Sequence, residues 1–416
     1  FMAASAAQAR DVSVPAPVAP ATSVPGTTVN AAIVTAITAP DDANLKLTVP
    51  SAGVVLGDSI VLNPNTGQGD GKIEFLSDGK IGAVDAATGS VTDGAGAIFN
   101  GRAAAGAANS FKGTNNGLIA GGLRTVGFGG DASITNGGEI YNGITASGQG
   151  NVSITTSAAG AVRSGNVVAS SITVDTAAAP VDGVTKTSFA GGKASIVQAG
   201  DAADAEDSVR GNLNATGLNG AEVTVSAKAR NVIASAGGVT ETVGGSNAVT
   251  SGTVTTTTVR NDVTRGGGSA NVTVGGDGDV ALVSATGIGG ASATIDGAVA
   301  GNVNASSNGT STTYTDISVV DGAVPVSGST KTTSTAVGKA ADVSVGEDGS
   351  VGGSVSVNGQ GSASTVIDGT VDGNVSLTST ATNNAYDYAS TPTGYTYSDT
   401  NVGAGGAATG AVGATG

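Results

Sequence analysis

Two long segments of this chain repeat one another, and a repeat of that size restricts the fold more than composition can. The segment "SANVTVGGDGDVALVSATGIGGASATIDGAVAGNVNAS" at 269–306 lies over "AADVSVGEDGSVGGSVSVNGQGSASTVIDGTVDGNVSLT" at 340–378. Asn271 matches Asp342, 71 residues on, and Ile295 matches Ile367, 72 residues on, so one residue is inserted between them. Looser copies begin at Asp131 and Lys193, and the equivalent residues Ala132, Ala194, Ala270 and Ala341 stand 62, 76 and 71 residues apart. A sustained period of this kind marks an array of stacked units rather than unrelated globular domains.

Within a copy, pieces such as "DVSV", "SVSV" and "STVI" alternate at period 2, which puts Val343 with Val345, and Val355 with Val357, on one face of a strand. Four-residue strands do not persist alone. They need neighbours about 4.8 Å above and below to satisfy their backbone groups. A coil of strands and corners repeated along an axis gives every strand the same two neighbours. The expected fold is therefore all-β, an elongated parallel β-helix or β-solenoid. A 71-residue copy predicts about three coils plus a longer excursion. Composition agrees with a thin core: aromatic residues are 3% and glycines number 69, too few large side chains for a thick interior. With 39% hydrophobic and only 12% charged residues, the chain is also unlike a disordered one.

The stretch "IDGTVDGNVSL" at 367–377 looks like one strand, yet Gly369 and Gly373 break its apolar face. In a coil such glycines mark corners or places where the interior narrows, and Asp368 and Asp372 become a wet outer face.

The excursions are Thr-rich alternating runs beginning at Val239, Thr312 and Ala385, each interrupted by Gly, Asp or Pro. Each reads as a projecting β-hairpin arm. Four tyrosines, Tyr386, Tyr388, Tyr395 and Tyr397, lie in the last arm and Tyr314 in an earlier one. Aromatics there predict either contact with something outside the rod or packing of arm on arm.

Three regions follow. Residues 1–40 form an N-terminal arm. It opens with "FMAASAAQA", whose small-x-small ending at Ala7, Gln8 and Ala9 suits either a signal remnant or an Ala-rich tail. A Pro-rich linker at 11–26 follows, then "TVNAAIVTAITAP" at 28–40. That strand-forming piece, with Val29, Ile33, Val34 and Ile37, could dock in its own domain or be exchanged onto a neighbour's sheet edge. Residues 41–128 read as a β-rich cap or first coils, and 129–416 as the repetitive solenoid with its arms.

A net charge of −15 opposes nucleic-acid backbones and anionic membrane surfaces. No apolar run is long enough for a transmembrane helix. Cysteine is absent, so disulfides and thiolate metal sites are excluded, and either redox compartment is allowed.

With its Gly-Asn-Val/Leu motifs at Gly150, Gly165, Gly211, Gly301 and Gly373 and its lack of cysteine, the chain resembles secreted bacterial β-helix surface proteins. These are autotransporter passengers and filamentous haemagglutinin-type adhesins. The likeness covers roughly residue 129 onward. "DANLKLTV" with "IVLNPNTG" is similar to the strands that open two-partner-secreted adhesins, and the "IDGxVxGNV" rung resembles that of bactofilins. The resemblance implies a secreted, cell-surface location.

Histidine is absent, which removes Ser-His and Cys-His nucleophilic sites and the commonest general base. Asp368 and Asp372, with no tryptophan in the chain, read as a solvated face and not as a glycosidase pair. "GGDGDVALV" at 275–283 approaches a calcium-binding β-roll repeat, which makes Asp277 and Asp279, with Glu347 and Asp348 in the matching copy, candidate calcium ligands. A plain Gly-Asp turn is the competing reading. No other cofactor is expected.

The expected function is non-enzymatic: an extracellular structural protein that assembles with itself into a filament or surface layer, by stacking solenoid ends or exchanging the N-terminal strand. The alternative is an adhesin whose arms bind a host or matrix ligand, or a cell-surface polysaccharide.

Overall fold

A computed structural model of the chain describes residues 10–13, 37–39, 45–57, 59–64, 71–101, 109–171, 174–177, 184–199, 211–251, 254–321, 327–380, 384–391, 394–401 and 408–412. Every regular element among them is a strand. No helix there is long and apolar enough to cross a membrane.

Two long parallel sheets organise the chain, one of 13 and one of 15 described strands. The chain alternates between them. Strand Ala132–Asn136 of the first sheet leads to Ile144–Gly148 of the second, then back to Val152–Thr156 of the first. One circuit therefore returns the chain 20 residues on, with Ala132 beside Val152 and Ile134 beside Ile154. Alternation decides which side chains face inward. In Ala132–Asn136 the first, third and fifth residues are buried, and the same pattern recurs in Val152–Thr156, Ala270–Val274 and Ala291–Ile295. A parallel ladder then places like on like, since Val272 stacks on Val223 below it and Ala293 beyond it.

The core between the sheets changes along the chain. Toward the N-terminus it holds Phe75, Phe99, Phe111 and Phe128, whose ring centroids are 4.8, 4.8 and 5.5 Å apart in succession. Glycines make room for these rings: a Cβ on Gly113 would lie 2.7 Å from the Phe111 ring, and one on Gly101 2.6 Å from that of Phe128. Further on, the buried apolar positions are Val, Ala and Ile with Leu213. One column is polar. Ser77, Asn115, Asn136, Thr156 and Gln198 stack in register and are buried, and Asn115 Nδ2 donates to Asn136 Oδ1 at 2.9 Å. The column turns apolar where Val225 follows Gln198.

A third, short parallel sheet closes the early circuits: Val54–Val55, Lys80–Ile81, Leu118–Ile119, Glu139–Ile140 and Ala161–Val162. Each such strand is two residues long. Their inward residues Val55, Ile81, Ile119, Ile140 and Val162 are buried.

The hydrogen-bonded ladders run through the boundary expected at 128/129 without a break, because Ser110–Asn115 pairs with Ala132–Asn136. At the N-terminus, Arg10–Ser13 pairs with Leu45–Val49, so a strand occupies the start of the stretch expected to be a linker. The physical reason is that Arg10–Ser13 precedes the first proline of the segment, at Pro15, and so keeps its backbone donors.

Four hairpins leave the circuit, and together they build an eight-stranded antiparallel sheet. They comprise Val174–Ala177 with Val184–Ala190, Val239–Ser251 with Val254–Gly266, Thr310–Asp321 with Ser327–Val337, and Asn384–Thr391 with Gly394–Asn401. Neighbouring hairpins pair edge to edge, as Thr258 with Ser318 and Thr332 with Tyr388 illustrate. All four leave at the same corner, between a second-sheet strand and the next first-sheet strand, and they do so on every second circuit. Spacing explains this rhythm. A hairpin contributes two strands about 4.8 Å apart, which matches the rise of two stacked coils and would not fit within one.

This corrects the count of coils. A 71-residue copy visits the two parallel sheets twice, not about three times: between Ala270 and Ala341 the first sheet gains only Ala270–Val274 and Ala291–Ile295. The hairpin Thr310–Asp321 with Ser327–Val337 takes up the remaining length.

Candidate functional site

The segment 367–377 is three pieces of strand and two corners. Ile367 ends Ala363–Ile367 of the first sheet, Thr370–Val371 adds to the second, and Val375–Ser379 adds to the second again. The glycines sit at the corners because nothing larger fits. A Cβ on Gly369 would lie 2.2 Å from the Gly349 carbonyl oxygen, and one on Gly373 2.5 Å from that of Gly353. Asp368 and Asp372 are exposed.

Val375–Ser379 pairs on one side with Val355–Gly359, and Thr370–Val371 with Ser350–Val351; among the described residues no strand covers their other side. Burial changes accordingly. Val303 and Val355 are fully buried, whereas Val375, next in that column, is 39% exposed. Val371 and Leu377 are partly buried against the core. The first sheet extends further there, since Ala408–Val412 pairs with Ala363–Ile367.

Of the strand-exchange candidates, Ile37 lies in Ile37–Ala39, which pairs in parallel with Ile60–Pro64 of the same chain, Ile37 beside Leu62. Val29, Ile33 and Val34 lie outside the described residues. The tyrosines fall in the last hairpin, where Tyr388 is the register partner of Tyr397, and Tyr386 and Tyr395 stand two residues away on the same strands.

The calcium candidates lie on two separate corners. Asp277 sits in a turn closed by Gly278 N–H donating to the Gly275 carbonyl at 2.8 Å, and Glu347 and Asp348 in its counterpart, closed by Gly349 to Gly346 at 2.9 Å. Asp279 pairs with Lys228 at 3.9 Å. In the ladder the strand Ala291–Ile295 separates the strands leading into these two turns. Among the described residues no three acidic side chains gather into a set that would hold a metal ion.

What the sequence reading missed is the role of the Gly-Asn motif. Asn166 Oδ1 accepts from the Asn212 backbone N–H at 2.9 Å, Asn151 Oδ1 from Lys193 at 3.0 Å, and Asp131 Oδ1 from Asn151 at 2.7 Å. Each corner side chain thus holds the corner of the next circuit. The signal was present in the recurrence of Asn, Asp or Ser immediately before strands, as at Asp131, Asn151, Asn166, Asn302 and Ser354.

No protein-family model, curated protein or solved structure matches this chain. The class it belongs to is defined by its own architecture: an all-β protein with long parallel sheets, compatible with a β-solenoid.

Proposed function

We propose that the chain is a β-solenoid rod with hairpin arms, a structural and non-catalytic protein of the secreted, cell-surface kind, which assembles with itself into a filament or surface layer. The observation that supports this reading is that, among the described residues, the strand Val375–Ser379 has a partner on one side only, and Val375 is 39% exposed where Val303 and Val355 in its column are fully buried. A further parallel strand would bury it, and burying a valine contributes about 1.5–3 kcal/mol at most. A head-to-tail join of this edge to the opposite end of a second copy is heterologous, and such joins propagate into filaments. Exchange of the strand around Ile37 is the second route, since a neighbour's Leu62 offers the same register as the chain's own.

Negative-stain electron microscopy at rising protein concentration tests this. Ordered fibres that disappear on Val375→Lys, or on deletion of residues 1–40, support it; monodisperse particles at every concentration overturn it. Because the net charge of −15 opposes self-association, added salt should lower the concentration at which fibres form. A second reading, an adhesin acting through its arms, is favoured by the tyrosine register at the outer hairpin. It predicts binding to a host or matrix ligand, or to a cell-surface polysaccharide, without polymerisation.

A further inference from the structure

We infer that a groove beside the short third sheet is a binding site for an uncharged glycan, distinct from any role in assembly. The register Lys80, Leu118, Glu139 sets these outward residues one above another on that sheet, and Tyr141 and Arg163 continue its outer side. Across from them stands a flap, in which Ala83–Val84 pairs antiparallel with Val91–Asp93. Between flap and sheet lies a cavity of about 710 Å³. Pockets of about 300–1,000 Å³ hold compact organic ligands.

The flap is held at both ends. At its base, Asp93 Oδ2 accepts from the Gly57 N–H at 2.6 Å and Oδ1 from Ala95 at 3.0 Å. At its tip, Asp85 Oδ1 accepts from the Ala87 and Thr88 N–H groups at 2.9 and 2.8 Å and from the Thr88 hydroxyl at 3.1 Å. Opposite, Arg163 donates to Glu139 Oε1 at 2.6 Å, and its side chain is only 18% exposed. Both walls are therefore ordered before a ligand arrives, which reduces the ordering cost of binding.

The lining chemistry selects the ligand class. Lys80 and Arg163 are balanced by Asp85 and Glu139, so the groove offers no net charge to attract an anionic or cationic polymer. It offers instead planar, fixed donors and acceptors, the Arg163–Glu139 pair, beside the half-buried ring of Tyr141 and the apolar side chains of Leu118, Val84 and Val91. Vicinal hydroxyls on a saccharide match a guanidinium and a carboxylate held side by side. The C–H face of a pyranose matches an aromatic ring with one polar end. A ligand lacking either feature would leave one wall of the groove unmatched.

The test uses the full chain on an array of neutral and acidic oligosaccharides, followed by calorimetric titration of the best neutral binder. Binding of a neutral oligosaccharide is expected, weakened at least tenfold by Tyr141→Ala and by Arg163→Gln, and unchanged by Tyr388→Ala in the outer hairpin. Slower amide exchange at 83–93 in the presence of ligand is the readout that does not depend on a variant folding normally. The inference is overturned if only acidic glycans bind, if no glycan binds, if Tyr141→Ala binds as the parent does with exchange at 83–93 unchanged, or if affinity is lost with Tyr388→Ala. Fibre formation in the Tyr141→Ala variant should match the parent, which separates this site from the assembly reading.

Discussion

Asn302 Oδ1 accepts the backbone N–H of Ser354 at 2.8 Å, although the two residues are 52 positions apart. One circuit further on, Ser354 Oγ accepts the N–H of Asn374 at 3.1 Å. The same relation joins Asn166 to Asn212. A corner amide that the parallel ladder leaves free is thus satisfied by a side chain from the corner beneath it. The small set of residues found at these positions, Asn, Asp and Ser, consists of those with a short acceptor within reach of a stacked backbone.

Asn302→Ala should therefore cost about 0.5–1.5 kcal/mol, the net value of one such bond at an exposed corner. Asn302→Asp keeps the acceptor and should lose less. Denaturant midpoints of both variants check the order, and faster exchange of the Ser354 amide in Asn302→Ala would locate the loss.

Glycine at the corners is a stronger constraint. A Cβ on Gly211 would lie 1.8 Å from the Gly165 carbonyl oxygen, a contact with backbone that no rotamer relieves. Gly211→Ala should push the two corners apart and destabilise by about 1–3 kcal/mol, as overpacking does. Gly276, whose Cβ would meet nothing within 4 Å, is the matched control, and Gly276→Ala should change stability by less than about 0.5 kcal/mol. Equal midpoint shifts for the two variants would refute the stacking argument.

These corners also show what was legible in advance. Period-2 alternation at Val343 and Val345 identified strands, and the repeat identified stacking, because both are written in local spacing. The two-residue strand Glu139–Ile140 was not legible, since two residues cannot display an alternation. The Phe75, Phe99, Phe111 and Phe128 cluster depends on which residues of different circuits face each other, although Gly113 two places after Phe111 hinted at a ring needing room. The groove at Tyr141 and Arg163 is built from residues of separate circuits and a flap, none of which carries a motif. The first hairpin, with Val184–Ala190, lacks the dense threonine runs that marked the others.

The match between hairpin and coil spacing makes its own prediction. Replacing residues 237–269 by a three-residue corner like 218–220 should leave the parallel partners Ala221 and Ala270 in place. It should also strip Val184–Ala190 and Thr310–Asp321 of their antiparallel neighbours from that hairpin. Hydrogen exchange should then rise in those two strands and stay low in Ala270–Val274. Unchanged protection at 310–321 would mean that the antiparallel sheet does not depend on one hairpin for every two coils.

Acid should loosen the tip of the flap. The backbone N–H of Thr88, then its hydroxyl, then the N–H of Ala87 hold the Asp85 carboxyl below its ordinary value of 3.8. A carboxyl with a depressed folded-state pKa contributes stability that is fully present above the unfolded value and is lost as pH falls through the folded one. The flap tip should accordingly be intact at neutral pH and down to about pH 4–5, then loosen in more acid solution. Asp85→Asn removes the titrating group while keeping an acceptor, so it should flatten the pH dependence of amide exchange at 86–90. If exchange at the tip follows the same acid profile in Asp85→Asn as in the parent, another group controls the flap.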